Sequence, residues 1–370
     1  MKKSLGFKKI LSAAIILLCL YVNAQAPYGT NKYIDKANLL TTKKIDSATY
    51  YLNKGIEFYS AKKDTINLIN TLCQLSSLYD NVLDYGKSYD GYWDALILAD
   101  LSNDDISKAR VYQELGWLYL SYRRENESLR YFNMSLKLKK RLFEEKKISR
   151  DYLVSNYFAM VNCYRVNDNM TMTKVYLDSC QVSLNKIGPD EKSYYVESEK
   201  AYYKAAVGGD YDGAHKLLDD AKMYFQTTEP SYLTVIHFLI AEVYRMEGSI
   251  GKSIRHYRES LRFAEMYNRH LGYKHFNYEV LSDIYYSKGD FKEAYHFKKK
   301  EQELNEKIFG RRSENNKHLI EIKDKYRLQK EKETTLLKEA RIEKLENQKR
   351  IGFLQNILMG VVVIFLLLYG

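Results

Sequence analysis

The sequence predicts an all-α protein: a solenoid of stacked helical hairpins, followed by a long charged helix and one transmembrane helix. Only 3 prolines and 18 glycines occur in 370 residues, too few turn residues for an all-β fold. Charged residues make up 28% and apolar residues 45%, a balance that suits amphipathic helices and excludes a wholly disordered chain. A short pattern that ends in tyrosine also recurs along the chain, and this recurrence predicts the solenoid.

The first residues, 1–24, have the features of a signal peptide. Lysines precede an apolar run from Ile10 to Val22, and Val22-Asn23-Ala24 offers a small-residue cleavage site. An uncleaved membrane anchor is the alternative. In either case the basic end stays inside, so we expect the repeats on the periplasmic or extracytoplasmic side.

The last residues, Ile351 to Gly370, contain no charged side chain. As a helix at about 1.5 Å per residue they would span about 30 Å, the thickness of the hydrocarbon core of a bilayer. A buried globular helix is the alternative, but the uniform apolarity favours a membrane span. The sequence therefore predicts a single-pass protein of the inner (cytoplasmic) membrane. A cytoplasmic continuation beyond the span is favoured, and a chain that ends in the membrane is the alternative.

The body of the chain is one unit copied about six times. Each copy has an apolar residue, a small residue and, three positions later, a tyrosine that we call the anchor. The anchors are Tyr79, Tyr119, Tyr164, Tyr244 and Tyr285, with Ala205 in the same place of a weaker copy. Successive anchors are 39 to 45 residues apart, so each copy has room for two helices.

A second helix follows each anchor helix and carries small residues at regular places, such as Ser128 and Ala214. Small residues let two antiparallel helices approach closely, while aromatic residues fill the space to the next pair. A Gly-Asp pair between the two helices, as in Gly209-Asp210, is expected to end the first helix and to cap the second.

This pattern resembles that of the tetratricopeptide-repeat (TPR) family, whose unit carries an aromatic-x-x-Leu-Gly-x-x-Tyr signature and a later Ala-x-x-x-Phe. The best copy consists of Tyr112, Leu115, Gly116, Tyr119, Ser128 and Phe132. The closing proline is absent, and the period is about 40 residues where about 34 is usual. The resemblance covers Asn31 to Glu303, with Ile45 to Ala61 as a degenerate opening helix. It implies a curved superhelix that binds a protein or peptide, and we assign residues 25–303 to this array.

Residues 304–350 are predicted to form a charged helical stalk. Apolar residues recur at intervals of three to four, as in Leu319, Ile322 and Tyr326, which favours a coiled coil and hence a homodimer. A solvated single helix is the alternative, because polar Gln329 and Glu333 occupy positions of the seam.

The order of these parts resembles the sensor half of membrane-bound histidine kinases and transcriptional regulators of Bacteroidetes-type bacteria. The resemblance implies that the chain is the input half of a signal-transduction regulator. A kinase or DNA-binding domain after Gly370 is implied by this resemblance alone. The alternative is a standalone membrane-tethered scaffold for envelope protein complexes.

The sequence contains no His-Glu-x-x-His, Cys-x-x-Cys, Gly-x-x-x-x-Gly-Lys or Gly-x-Ser-x-Gly motif, so we predict no catalytic, metal or cofactor site. Beyond the signal, Cys73, Cys163 and Cys180 are expected as buried thiols, with a bridge between Cys163 and Cys180 as the alternative. The basic excess lies mainly in the signal and the stalk. The repeat body is therefore nearly neutral and lacks the basic face of a nucleic-acid-binding domain.

The predicted binding surface is the concave groove lined by the first helix of each repeat. Its candidate residues mix aromatic, amide and charged side chains, which suits an extended peptide or another protein domain. The alternative is that most of these side chains are merely solvated. The candidates are Gln113, Trp117, Asn162, Arg165, Tyr203, Glu242, Arg245, Asp283 and Tyr286.

Overall fold

A computed structural model describes residues 32–40, 45–121, 123–187, 191–309, 339, 341–355 and 357. Regular structure in these residues is helical throughout. The helices of the array are α1 (Lys32–Leu40), α2 (Ile45–Ala61), α3 (Thr65–Asn81), α4 (Tyr85–Leu101), α5 (Asp105–Ser121), α6 (Glu125–Glu144), α7 (Asp151–Val166), α8 (Met170–Ile187), α9 (Glu191–Gly208), α10 (Tyr211–Thr228), α11 (Leu233–Met246), α12 (Ile250–Tyr267), α13 (Gly272–Ser287) and α14 (Phe291–Phe309). A 3₁₀ turn, Pro230–Tyr232, precedes α11, and a further helix, α15, covers residues 341–355.

The helices pair in sequence order into hairpins, which we number 1 (α1 and α2) to 7 (α13 and α14). From hairpin 2 onward, the first helix of each hairpin also packs on the first helix of the next one. These first helices, α3, α5, α7, α9, α11 and α13, therefore lie on the inner side of the curve. The prediction of an all-α helical-repeat solenoid is confirmed for these residues, and the degenerate opening helix is α2, the second helix of hairpin 1.

The anchor tyrosines occupy equivalent places on α3, α5, α7, α11 and α13, and Ala205 takes this place on α9. In four hairpins the anchor ring stacks on a ring twelve positions later, on the second helix of the same hairpin. The stacked pairs are Tyr119 with Tyr131, Tyr164 with Tyr176, Tyr244 with His256, and Tyr285 with Phe297. Hairpin 2 has Gly91 at that place, and there the Lys87 ammonium lies 5.2 Å from the centre of the Tyr79 ring. The repeat found in the sequence is thus a repeat of side-chain packing.

The turn inside each hairpin is equally regular. The residue four positions after the anchor has a left-handed backbone: Leu83, Arg123, Asp168, Gly209, Gly248 and Gly289. The residue after it often caps the second helix, as when the Asp210 carboxylate accepts the Gly213 N–H at 2.9 Å. Glycine is favoured at the left-handed position because it has no Cβ. The predicted Gly-Asp turn is therefore one version of a turn that three other hairpins make without glycine.

Small residues hold the two helices of a hairpin close together. The residue nine positions after each anchor is small and buried: Ser88, Ser128, Thr173, Ala214, Ser253 and Ala294. In hairpin 3 the Ser128 hydroxyl donates to the Gly116 carbonyl at 2.8 Å. A Cβ built on Gly116 would collide with the ring of Phe132, so glycine is required at this crossing.

The three cysteines of the array are free thiols in the structure, and all are buried. Cys163 lies in a cluster with Phe132 and Met160, whereas Cys180 packs in another cluster with Leu177. Burial raises the pKa of each of these thiols. Cys163 and Cys180 therefore act as small apolar side chains and do not bridge the helices.

The predicted membrane location is corrected by the structure. Among the residues that the structure describes, no helix combines the length and the apolarity needed to cross a bilayer. The most apolar, α11, has 14 residues, which at about 1.5 Å each falls short of about 30 Å. Helix α15 contains charged residues, among them Glu346 and Arg350, which interrupt its apolar sequence. The predicted signal (1–24), most of the stalk and most of Ile351 to Gly370 lie outside the described residues, and the domain boundaries stay predictions.

Candidate protein-interaction site

The inner side of the array is built by the first helices, and all nine predicted groove residues lie on them. Gln113 and Trp117 are on α5, Asn162 and Arg165 on α7, Tyr203 on α9, Glu242 and Arg245 on α11, and Asp283 and Tyr286 on α13. The structure thus spreads the candidates over five consecutive first helices. They differ in exposure, because the inner side is closed in some places and open in others.

Hairpin 3 holds its two candidates through neighbours on the second helix. Gln113 accepts a hydrogen bond from the ammonium group of Lys139 on α6. Burial lowers the pKa of Lys139 from 10.5 to about 7. Half-buried Trp117 packs edge-on against Phe132, with ring centroids 5.3 Å apart, and lies 6.3 Å from the ring of Phe158.

A buried ion pair joins hairpins 4 and 5. The Arg165 Nε donates to Glu199 Oε2 at 2.6 Å, and the two side chains are 7% and 0% exposed. The guanidinium also contacts the Asn162 side-chain oxygen at 3.4 Å and lies 5.3 Å from the Tyr202 ring centre. Burial opposes the charge of Arg165, yet the carboxylate of Glu199 keeps the pKa of Arg165 above its usual value. The pair fixes the angle between two first helices and offers little surface to a ligand.

Hairpin 7 also contributes a side chain that lies next to the pair of Arg165 and Glu199. Burial raises the pKa of Tyr273, on α13, and the nearby Arg165 guanidinium opposes this rise. Tyr232, next to α11, is also buried, and its pKa is raised by burial and then by the proximity of Tyr273 and Glu199. Side chains of hairpins 4 to 7 therefore converge on one dry, aromatic interior.

Helix α11 lies in the middle of this interior, and the thirteen residues from Ser231 to Val243 are all buried. Its candidate Glu242 is 5% exposed and accepts hydrogen bonds from the Tyr257 hydroxyl and from Arg245 Nη2. That hydrogen bond to Glu242 raises the pKa of Arg245. Arg245 itself is exposed at the rim, so this candidate alone on α11 faces solvent.

Hairpin 7 presents the most open candidates. Asp283 is exposed, and Tyr286 is 67% exposed with its ring edge against Phe291, 5.5 Å between centroids. Phe291 and Tyr295, on α14, are 64% and 71% exposed. Tyr203 on α9 is half-buried against the cluster of Val161 and Leu184. The accessible part of the inner side is therefore polar and aromatic, and it lies towards the C-terminal ends of α11 and α13.

Sequence reasoning missed Glu199, Tyr273 and Arg123, which turn out to organise the inner side. Glu199 sits six positions before the weak anchor, where Gln113 and Phe158 sit in their hairpins, so its inward position could have been read from the register. Contacts of Tyr273 and Arg123 depend on the curvature of the array, for which the sequence has no local signal.

Comparison with known proteins supports the fold. No family model and no curated protein matches the chain. The crystal structure of a Rap protein complexed with Competence and Sporulation Factor has a TM-score of 0.57 at 12% identity, over 75% of this chain and 74% of that one. The apo form of RapI has a TM-score of 0.51 at 13% identity, over 70% and 92%.

A tetratricopeptide repeat protein from Parabacteroides merdae has a TM-score of 0.42 at 14% identity, over 78% of this chain and 96% of that one. The array has a TPR-like fold. At the place of the TPR signature glycine, Gly116 packs on Ser128 and Phe132 of the second helix. The comparisons extend to the fold alone.

Proposed function

We propose that the TPR-like array binds an extended segment of another protein along its inner side. The observation that carries this proposal is the exposed strip formed by Arg245, Asp283 and Tyr286 on two first helices that pack together. Charged and aromatic side chains of this kind are common at protein-binding hot spots. Asp283 and Tyr286 have no core position that would explain their residue types, and Arg245 keeps part of its guanidinium in solvent while it pairs with the buried Glu242.

The bound state of a similar fold supports the proposal. The Rap protein with the TM-score of 0.57 was solved in complex with Competence and Sporulation Factor. We propose by analogy that the array is the ligand-binding part of a signalling protein, in which binding is passed on to an output region. The sequence carries no motif for chemistry on the ligand, which supports binding as the role of the array itself.

The test begins with a selection, from a library of random short peptides, of those that bind the full chain. The selected peptide is then synthesised, and its affinity for the chain is measured by calorimetry. We expect Tyr286→Ala and Asp283→Lys each to weaken binding by about ten-fold or more, as loss of a hot-spot contact does. Matched controls are Tyr295→Ala and Asp220→Lys, which change equally exposed side chains on second helices. Equal effects of the inner and outer variants would refute an inner-side site.

A second candidate function, a scaffold that gathers proteins on its outer surface, is favoured by the exposed rings of Phe291 and Tyr295 on α14. Exposed aromatic side chains in a group mark interaction sites on soluble proteins. Under this function the same calorimetry gives the opposite order, with Tyr295→Ala weakening binding and Asp283→Lys leaving it unchanged.

A further inference from the structure

Arg123 connects two hairpins that are far apart in the array. It lies in the turn between α5 and α6 of hairpin 3, and its side chain reaches α13 of hairpin 7. There, Nη2 lies 3.9 Å from Glu279 Oε2, and the guanidinium carbon lies 5.5 Å from the centre of the Phe276 ring. We call this set of three residues the Arg123 latch.

The latch does not stand alone, because Tyr273 on the same helix lies beside Arg165 of hairpin 4. Helix α13 is thus in contact with hairpins 3 and 4 as well as with its sequence neighbours. In a simple solenoid each repeat touches only the next one, and the inner side stays open along its length. Here Tyr273 of hairpin 7 lies against Arg165 of α7 and Glu199 of α9, and both of these side chains are buried.

The two kinds of contact differ in strength. Arg165 and Glu199 are buried, whereas Arg123 and Glu279 are 44% and 47% exposed. An exposed ion pair and an exposed cation–π contact each change an equilibrium by only a few-fold. The latch is therefore at the easily broken edge of the closed interior, where opening would begin.

We propose that the Arg123 latch is an autoinhibitory contact, which holds hairpin 7 against hairpin 3 and which a bound protein segment must release to reach the full inner side. This inference rests on the proposed binding function and adds its regulation. Release separates Arg123 from Phe276 and Glu279 and exposes the polar groups around Arg165, which then become available to the main chain of an extended segment. The closed form is the resting state of the array.

His275 supplies an internal reporter of the latch. It is buried on α13, with Nε2 at 3.4 Å from Glu279 and 3.9 Å from Glu301 of α14. Burial lowers its pKa, and so does the positive charge of Arg123, while Glu279, Glu301 and Asn305 act in the opposite sense. Removing Arg123 should raise the pKa of His275, which an NMR titration of the full chain would follow.

Opening is measured directly as a distance between hairpins 3 and 7. Spin labels are placed on exposed positions by Asn126→Cys and Lys288→Cys, in a Cys19→Ser background in which the three cysteines of the array are buried. We expect a single short distance in this parent. Arg123→Ala should increase a second, longer population about five- to ten-fold, as expected for the loss of both contacts.

The matched control is Arg258→Ala. Arg258 makes the same kinds of contact, an ion pair with Glu293 at 3.2 Å and a ring contact with Tyr285 at 5.9 Å, but only with the adjacent hairpin. Arg258→Ala should therefore leave the distance between the two spin labels unchanged. Arg123→Glu combined with Glu279→Arg should return part of the short population, and circular dichroism shows that each variant is folded.

Four outcomes decide the proposal. Distances in Arg123→Ala that match those in Arg258→Ala would overturn the latch and leave the binding function standing. A longer population without tighter binding of the selected peptide would overturn its inhibitory role. A longer population with about five- to ten-fold tighter binding supports it. If no peptide binds parent or variant, the binding function fails and the inhibitory role falls with it, while the distances still report on the contact itself.

Discussion

The ring of Tyr164 stacks on the ring of Tyr176, with centroids 5.6 Å apart and planes inclined by 12°. The two residues stand twelve positions apart, on the two helices of hairpin 4. The same spacing joins Tyr119 to Tyr131, with planes inclined by 4°. Because the second ring comes from the second helix, each stack fastens the hairpin on itself, while the small residue three positions earlier sets the helix separation.

Loss of one such ring should cost stability without changing the fold. We expect Tyr176→Ala to lower the free energy of unfolding by about 2 kcal/mol, since a large half-buried ring is replaced by a methyl group. Tyr176→Phe keeps the ring stack, so it should change the free energy of unfolding by less than about 0.5 kcal/mol. Urea unfolding of both variants checks the prediction, and equal losses would show that the hydroxyl matters more than the ring.

Two helical glycines should respond in opposite ways to alanine. At Gly116 the new methyl group would meet the Phe132 ring, whereas at Gly251 nothing lies within 4 Å. Gly116→Ala should therefore destabilise the protein by about 1–3 kcal/mol through overpacking. Gly251→Ala should stabilise it by about 0.5–1 kcal/mol, because alanine is the better helix former. Thermal melting of the pair provides the comparison, and stabilisation by both would show that hairpin 3 tolerates a wider crossing.

The repeat register could be predicted from the sequence because it is encoded locally, by anchors such as Tyr79 and Tyr285 and by small residues at the crossings. The left-handed turns at Leu83 and Arg123 were not foreseen, since neither residue type signals that backbone. The closed inner side was not foreseen either. It arises because small rotations between successive hairpins add up and bring α13 to Arg123. Groove candidates such as Asn162 lie on first helices, but the sequence did not indicate which of them are buried.

Breaking the buried pair of Arg165 and Glu199 should be costly. Arg165→Ala leaves the Glu199 carboxylate buried without its partner, so we expect a loss of about 3–5 kcal/mol. The control is Lys174→Ala, which removes an exposed pair with Asp178 and should cost less than about 0.5 kcal/mol. Denaturant unfolding measures both. Similar small losses would mean that water reaches Glu199 once Arg165 is gone.

Hairpin 6 contains a pair of imidazoles that should make stability depend on pH. The Nδ1 atoms of His237 and His256 are 2.9 Å apart, and the rings are stacked at 22°. Burial lowers both pKa values from 6.5 to about 4, aided by the charge of His256 on His237 and by Lys222 and Arg255 on His256. Glu259 opposes the shift in both rings, and Asp219 opposes it in His256.

The lowered pKa values of the two histidines set the direction in which stability depends on pH. Between about pH 6.5 and about pH 4 the unfolded chain binds protons that the folded pair does not, so stability falls as the pH falls through this window. We expect the decline between about pH 7 and about pH 5 to reach about 3–4 kcal/mol for the pair. His256→Gln should remove about half of it. A variant with the same pH dependence as the parent protein would show that other groups are responsible.

The complete burial of Ser231 to Val243 limits how the protein can be shortened. A chain cut before Gly272 would lose α13 and uncover an apolar helix that has no charged residue between Leu233 and Ala241. Such a fragment should self-associate, because association removes a contiguous apolar surface from water. The final hairpin thus acts as a solubility cap, and a truncated array that loses it should fail first by precipitation.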